Sequence, residues 1–303
     1  MKLSFKTSDF EIANKDYFKE EIVIAEKKSS MEYIRGKPII SILLLVIIIS
    51  GCIFAELIMT KNPKYMDLAN INISPCKEFL FGTDSMGRDI FSMIWYRGRI
   101  SLFIGFLGTI ISTTIAIVYG TISGSSSELI DDIMMRATEI ILSIPSILII
   151  IFVQAILGNA NPISISIVIG ITSWMNIAKV VRSEVRQIRN HEYIIAAKTM
   201  GGNFFYILKQ HLVPNFIASI MFMIVTNIGI AIGTEATLSF LGIGLPIEII
   251  SWGSMLSLSE QALLSNYWWI ILIPGIFLVT TLMSIANIGN WLRKNNNKKS
   301  NNL

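Results

Sequence analysis

Six separated apolar runs, each about long enough to cross a bilayer, leave this chain very few possible folds. Hydrocarbon about 30 Å thick takes roughly 20 apolar residues of helix. Runs at residues 38–58, 100–122, 137–158, 163–181, 216–244 and 267–292 approach or exceed that length. The second and sixth carry no charge, while the others hold Glu56, Glu139, Lys179 and Glu235, one each. A mean hydropathy of +0.61 with 52% hydrophobic residues exceeds what a soluble core of this size needs. The runs are continuous rather than alternating, which excludes barrel strands. The expected fold is therefore all-α: a polytopic membrane protein with six transmembrane helices. A single transmembrane domain over 38–292 is flanked by tails at 1–37 and 293–303.

Six crossings put both termini on one face, together with the second and fourth loops. That face collects 19 of the 25 Lys and Arg residues, and the other six all lie between Lys61 and Arg99. Basic residues mark the cytoplasmic side, so both termini and the segment Lys179–Pro214 are expected inside the cell membrane. Tyr267, Trp268 and Trp269 fit an outer interfacial belt, and Trp291 an inner one. The first tail mixes Lys and Glu and reads as a surface or partly disordered segment. The last is Asn- and Lys-rich and reads as unstructured. Ile49-Ser50-Gly51-Cys52 imitates a lipoprotein processing box, but 37 residues precede a run of full span length, so it reads as an uncleaved first helix. Cys52 and Cys76 supply neither a disulfide framework nor a metal site.

Three polar features carry the chemistry. Gly82-Thr83-Asp84-Ser85-Met86-Gly87-Arg88-Asp89 imitates a phosphate loop, yet Arg88 replaces the lysine and Asp89 the hydroxyl that would hold magnesium. It reads instead as a turn at Gly82, a helix cap from Asp84 or Ser85, and a short amphipathic helix through Trp95 on the outer membrane surface. Glu139 and Glu235 are costly in hydrocarbon and must face protein or water. Each is either part of a pathway or gate, or makes a buried hydrogen bond to a neighbouring helix; Pro145 is expected to kink the helix of Glu139. Glu235 is expected to face an interface between subunits, hydrogen-bonded there or wetted by a cavity. Gly120-x3-Gly124 and Gly229-x3-Gly233 read as close-packing positions.

The third feature is Lys179–Pro214, which holds six basic residues between two apolar runs. Arg182, Arg186 and Arg189 share one helical face, which beside a membrane ordinarily meets lipid headgroups. Ala196 and Ala197 follow on a helix that Gly201-Gly202 breaks. A second short helix from Asn203 is expected to end before Pro214. Two short helices about a glycine turn make a compact knob, with Tyr193, Phe204, Phe205 and Tyr206 as interface anchors.

The order Ala196-Ala197-x3-Gly201-x12-Pro214, just inside the penultimate span, resembles the cytoplasmic loop of binding-protein-dependent ABC transporter permeases. Ile195 stands where that family has a glutamate, and Glu192 lies three positions early. Gly82-Thr83-Asp84-x2-Gly87-Arg88-Asp89, then Arg99-x-Ser101-Leu102, resemble the dipeptide, oligopeptide and nickel branch. So do Met135-Arg136-x2-Glu139-x5-Pro145-Ser146, where relatives usually have aspartate for Glu139, Glu235-Ala236-x-Leu238-Ser239-Phe240-Leu241-Gly242 and Trp252-Gly253-x-Met255-Leu256. Together they span residues 80 to about 280 in order.

The resemblance implies a non-catalytic permease subunit of an ATP-driven importer, with peptides as the default substrate and nickel or a metal–chelator complex as the alternative. Its implied partners are a second homologous permease, two cytoplasmic ATP-binding subunits, an extracytoplasmic solute-binding protein and membrane lipid, and no nucleic acid. Ala196, Ala197, Gly201, Gly202 and Pro214 would form the ATPase-coupling loop between helices 4 and 5. Gly82, Asp84, Gly87, Arg88 and Asp89 would form an outer motif. The chain itself is expected to bind no cofactor or metal, ATP and magnesium being used by the partner ATPases. A stand-alone secondary transporter or channel is the competing class. It would need coupling or selectivity groups in the membrane, where only Glu139 and Glu235 are available, and would leave the knob without a use.

Overall fold

The computed structural model describes residues 37–300 except 159, 247, 259–261 and 263–264, and the side chains of 297–300 are likewise outside it. The N-terminal tail expected to be partly disordered lies outside the described residues. All regular structure described is helical, apart from one isolated bridge between Thr83 and Asp89. The first apolar run gives α1 (Ile39–Ile53) and a short continuation, α2 (Ala55–Ile58). The longest element, α3, spans Ile90–Ser125. It is followed by α4 (Glu128–Leu142), α5 (Ser146–Leu157), α6 (Pro162–Thr172) and α7 (Met175–Ile188). Two short helices, α8 (Glu192–Thr199) and α9 (Phe204–Ile207), lead into α10 (Val213–Phe240). The chain closes with α11 (Trp252–Leu258) and α12 (Trp268–Ser300).

Three continuous helices among the described residues have the length and apolarity to cross a membrane: Ile90–Ser125, Phe204–Phe240 and Trp268–Asn296. Two further helix pairs reach that standard only together, because each is bent. The α4–α5 pair turns by 89° and the α6–α7 pair by 46°. The first bend is at Pro145, which lacks the N–H that a continuing helix would bond and whose ring would meet the carbonyl of residue 141. A run that reads in the sequence as one kinked span is therefore an elbow.

Several expected boundaries move. The helix that contains the second apolar run begins at Ile90 rather than 100, and its opening turns are the segment expected to lie as a separate surface helix. Ile90, Met93 and Ile94 are buried there, so these turns belong to the core instead of the interface. Asp89, and not Asp84 or Ser85, caps this helix, its carboxylate accepting from Ser92 N–H at 3.0 Å. The helix from Asn203 does not stop before Pro214. It widens into a π turn over Leu208–Leu212 and runs straight into α10, the looser register accommodating the missing proline N–H. α12 continues past Leu292 to Ser300, so most of the tail expected to be unstructured is helical. α10 stops at Phe240 because Gly242 takes φ +73° while Gly242 N–H and Ile243 N–H donate back to Ser239 and Leu238 carbonyls.

Packing centres on α3, against which α1, α6, α7 and α10 all lie, with α12 packed on α10 and α1. Gly120 and Gly124 on α3 sit where an added Cβ would strike Val181 and Val185 of α7, and Gly229 faces Ile285 of α12. Both glycine pairs are thus packing positions. Arg99 joins α1 to α3: its Nε donates to Cys52 carbonyl at 2.6 Å and its guanidinium also reaches Ile53 carbonyl and Glu56. It thereby binds two carbonyls at the end of α1. Cys52 is buried in this junction and Cys76 is exposed.

Candidate functional site

The loop after α7 is built as a knob. α8 ends in the same left-handed device as α10: Gly201 has φ +84°, Gly201 N–H donates to Lys198 carbonyl and Gly202 N–H to Ala197 carbonyl. Asn203 then caps α9, its side chain accepting from Tyr206 N–H at 2.8 Å. One face of this unit is anchored. Ile194, Ala197, Ile207, Leu208 and Leu212 are buried with Val181 and Val185 of α7 and Phe216 of α10. The other face is open, presenting Tyr193, Ile195, Met200, Phe205 and Tyr206. A groove of about 560 Å³ opens there, lined by Ala196, Ala197, Gly201 and Gly202 and flanked by Tyr193, Tyr206 and His211. Tyr193 and Tyr206 both lie about 6 Å from the His211 ring, at 6.0 and 5.8 Å between centroids.

Four of the five residues expected to form the loop site therefore meet around one groove. Pro214 is exposed but sits in the first turn of α10. Phe204 packs toward the core and is not an outward anchor. Ile195 lies on the exposed face, so the loss of a carboxylate at that position alters the surface and not the fold of the knob.

The basic stripe Arg182, Arg186 and Arg189 does not face headgroups. Asp131 of α4, 2% exposed at its side chain, receives Arg182 through Nε at 2.6 Å and through Nη2, and Arg186 Nη1 at 2.7 Å. Ser123 of α3 donates its hydroxyl to the same carboxylate. Arg189 donates to the carbonyls of Gly124 and Ser126. Arginine forks are thus spent on one buried carboxylate and on the frayed end of α3. The sequence reading missed Asp131. Its signal was there: Asp131, Met135 and Thr138 recur at helical spacing as the buried stripe of α4, so a carboxylate stood on an inward face.

Glu139 and Glu235 separate clearly. Glu139 is exposed and, among the described residues, pairs with Arg136 one turn earlier on its own helix, at 3.4 Å. Glu235 is 0% exposed and accepts from three hydroxyls: Ser251 at 2.6 Å, Ser239 at 2.8 Å and Ser101 at 3.3 Å. Its expected position at a surface between subunits is corrected by this burial within the chain. The node ties α10 to α3 and to the hairpin at 241–258. Trp252 completes it, fully buried, donating its backbone N–H to Ser101 Oγ and its indole N–H to Ile94 carbonyl.

The Gly82–Asp89 motif is equally internal. Asp84 accepts from the backbone of Met86 and Arg88 and holds the Arg88 guanidinium through Nε at 2.7 Å and Nη2 at 2.6 Å. Gly82 and Gly87 have φ +76° and +71°. An added Cβ at Gly87 would overlap the Asp67 carbonyl, and one at Gly82 would meet the Trp269 ring. Trp269, expected in an interfacial belt, is instead buried here and donates its indole N–H to Thr83 carbonyl at 3.2 Å. Trp268 is exposed, as a belt residue would be. The backbone N–H groups of Gly82, Thr83, Asp84, Met86, Gly87 and Arg88, the donors a phosphate would need, all donate within the chain, so the loop is no phosphate cradle.

Residues 116–299 match the family model described as binding-protein-dependent transport system inner membrane component. The oligopeptide transport system permease protein OppC of Bacillus subtilis (strain 168) is 36% identical over 254 residues, covering 84% of this chain and 83% of the relative. The dipeptide transport system permease protein DppC of the same organism is 35% identical over 226 residues, covering 75% and 70%. A multi-pass all-helical chain, a two-helix knob after a bent helix pair, and matches of this extent lead to one assignment: the chain belongs to the binding-protein-dependent inner membrane components, the permease subunits of ABC importers in the cell membrane.

Proposed function

We propose that this permease imports di- or oligopeptides, working with a second homologous permease, two ATP-binding subunits and an extracytoplasmic solute-binding protein. The observation that carries the substrate reading is that relatives matched over most of their length are named as oligopeptide and dipeptide permeases. In this reading the domain at 38–292 crosses the membrane six times: α1 with α2, α3, α4–α5, α6–α7, α10 and α12. Both termini and the knob at 192–212 then face the cytoplasm, in keeping with the basic residues gathered on that side.

The groove of Ala196, Ala197, Gly201 and Gly202 seats an ATPase subunit, where ATP and magnesium are used. Small residues permit close approach, and the buried side of the knob, Ile194 and Leu212 against α7 and α10, passes the pull on. Closure of the ATPase pair therefore drags α7 and α10 together and tilts the membrane helices. The Gly82–Asp89 node and the hairpin at 241–258 form the opposite face, which receives the loaded binding protein.

Reconstitution of both permeases and both ATPases in liposomes, with the cognate binding protein inside or outside, tests this reading. ATP-dependent accumulation of labelled peptide is expected. Transport of nickel or a metal–chelator complex without competition from peptides would overturn it.

A further inference from the structure

One turn of α7 serves two neighbours. Val181 and Val185 are buried with Ile194 and Ile207 of the knob, while Arg182 and Arg186, each one residue further on, reach α4. Among the described residues, every hydrogen bond and ion pair between α4 and α7 ends on Asp131, whose side chain is 2% exposed. Such a contact is directional. Apolar side chains can slide over one another, but guanidinium forks held on a buried carboxylate cannot move apart without leaving a charge unpaired.

α4 carries this connection onward. Its 15 residues make an arm of about 22 Å at 1.5 Å per residue, ending just before the 89° elbow at Pro145. One turn beyond Asp131, Tyr119 of α3 donates its hydroxyl to Met134 carbonyl at 2.8 Å, a point on which the arm can turn. Past the elbow, Ser146, Ile147 and Ile150 of α5 stand across an open cavity of about 650 Å³ from Thr234 and Thr237 of α10. α10 is fixed to the knob directly, through Leu212 and Phe216. Two walls of one cavity are therefore tied to the knob by different routes, α10 through an apolar cluster and α5 through Asp131.

We propose that Asp131 is the positioning residue through which the knob moves α5. Displacement of α7 reaches one end of α4 through Arg182 and Arg186; the arm turns about Tyr119 and shifts the first turn of α5 across the cavity. This rests on the reading above that an ATPase subunit seats on the knob. It adds that the two cavity walls answer to the ATPase separately, so that α5 is disconnected by a change that leaves α10 responsive.

The test compares the complete transporter in nanodiscs without nucleotide and trapped with ATP and vanadate. Spin labels are placed at Phe106 of α3 and Leu148 of α5, and in a second preparation at Phe106 and Ile230 of α10, all three being exposed positions. In the wild type both label distances are expected to change on trapping. In Asp131→Asn the α10 distance should change as before, while the change at α5 shrinks by at least half and uptake per ATP hydrolysed falls with it. A residue that only stabilised the bundle would not separate the two distances. If Asp131→Asn fails to assemble, Arg182→Gln, which leaves Arg186 on the carboxylate, decides by the same comparison. A change at α5 as large in the assembled variant as in the wild type overturns the proposal, as does a wild-type α5 that stays still while α10 moves. Equal loss of both changes in the variant assigns Asp131 to general stability and overturns it too. A wild type in which neither distance answers to nucleotide removes the ATPase seat on the knob and this inference with it.

Discussion

Replacing Asp131 by alanine tests how α4 is held. The carboxylate is 2% exposed and answers two guanidinium groups and one hydroxyl, whereas Arg182 and Arg186 are 25% and 36% exposed at their side chains. Removing one partner of a fully buried pair costs about 3–5 kcal/mol. Water reaches the open sides of both arginines, so the stranded charge is partly solvated and the figure falls to about 2–3 kcal/mol. Besides this clasp, α4 is held by its buried Met135 and Thr138 and by Tyr119 of α3, whose hydroxyl donates to Met134 carbonyl at 2.8 Å. At 1.4 kcal/mol per decade, its local opening should become roughly 30- to 150-fold more frequent. Hydrogen exchange on the assembled transporter in nanodiscs reads this directly. Amides of 130–142 should exchange faster by that factor, while those of 220–236 in α10 stay as in the wild type. Asp131→Asn keeps the shape and one acceptor and should show a smaller change. The Asp131→Asn, Arg182→Gln double variant should cost less than the sum of the two. Exchange in α4 within threefold of wild type after Asp131→Ala would refute the argument, because the clasp would then not be what secures this helix.

Three further outcomes follow from the geometry. Gly201→Ala should cost about 1 kcal/mol in the knob, from a left-handed backbone and not from crowding, and should leave uptake close to normal. Gly201→Trp should fill the groove and abolish both uptake and co-purification of the ATPases while the chain still inserts; survival of both would remove the coupling role. Glu235→Leu strands three buried hydroxyls at about 1 kcal/mol each and should lower the yield of assembled complex on size-exclusion chromatography, whereas Glu235→Gln, still an acceptor, should assemble. Gly253→Val places its Cβ on the Ala236 backbone and should displace Trp252, blue-to-red in its fluorescence, while Gly275→Ala, with only Leu256 nearby, should be silent.

What the sequence discloses here divides by range. Helical content and membrane character were legible because lipid leaves the backbone no alternative and forces long uninterrupted runs. The knob was legible because Gly201-Gly202 and Asn203 act locally, through a left-handed cap and a side-chain cap within a few residues. Arg182, Arg186 and Arg189 show the limit. Spacing correctly put them on one face, but what that face meets is Asp131, 51 residues away, and no local pattern names so distant a partner. Glu139 and Glu235 show the same limit in opposite directions. Similar apolar surroundings in the sequence conceal a surface residue at one position and the centre of a hydroxyl cluster at the other. Pro145 announced a bend but not its 89°, which depends on how α5 finds its place against α6.

The unbroken length of α3 has a mechanical meaning. Its 36 residues contain no proline and make a rod of about 54 Å at 1.5 Å per residue. Near one tip it is notched at Gly98 for the Trp252 ring, and near the other at Gly120 and Gly124 for α7. A stiff shaft gripped at both tips cannot absorb a displacement along its length; it pivots. The two ends of α3 are then expected to move as one piece, so that a shift imposed beside Gly124 is carried to the seat of Trp252.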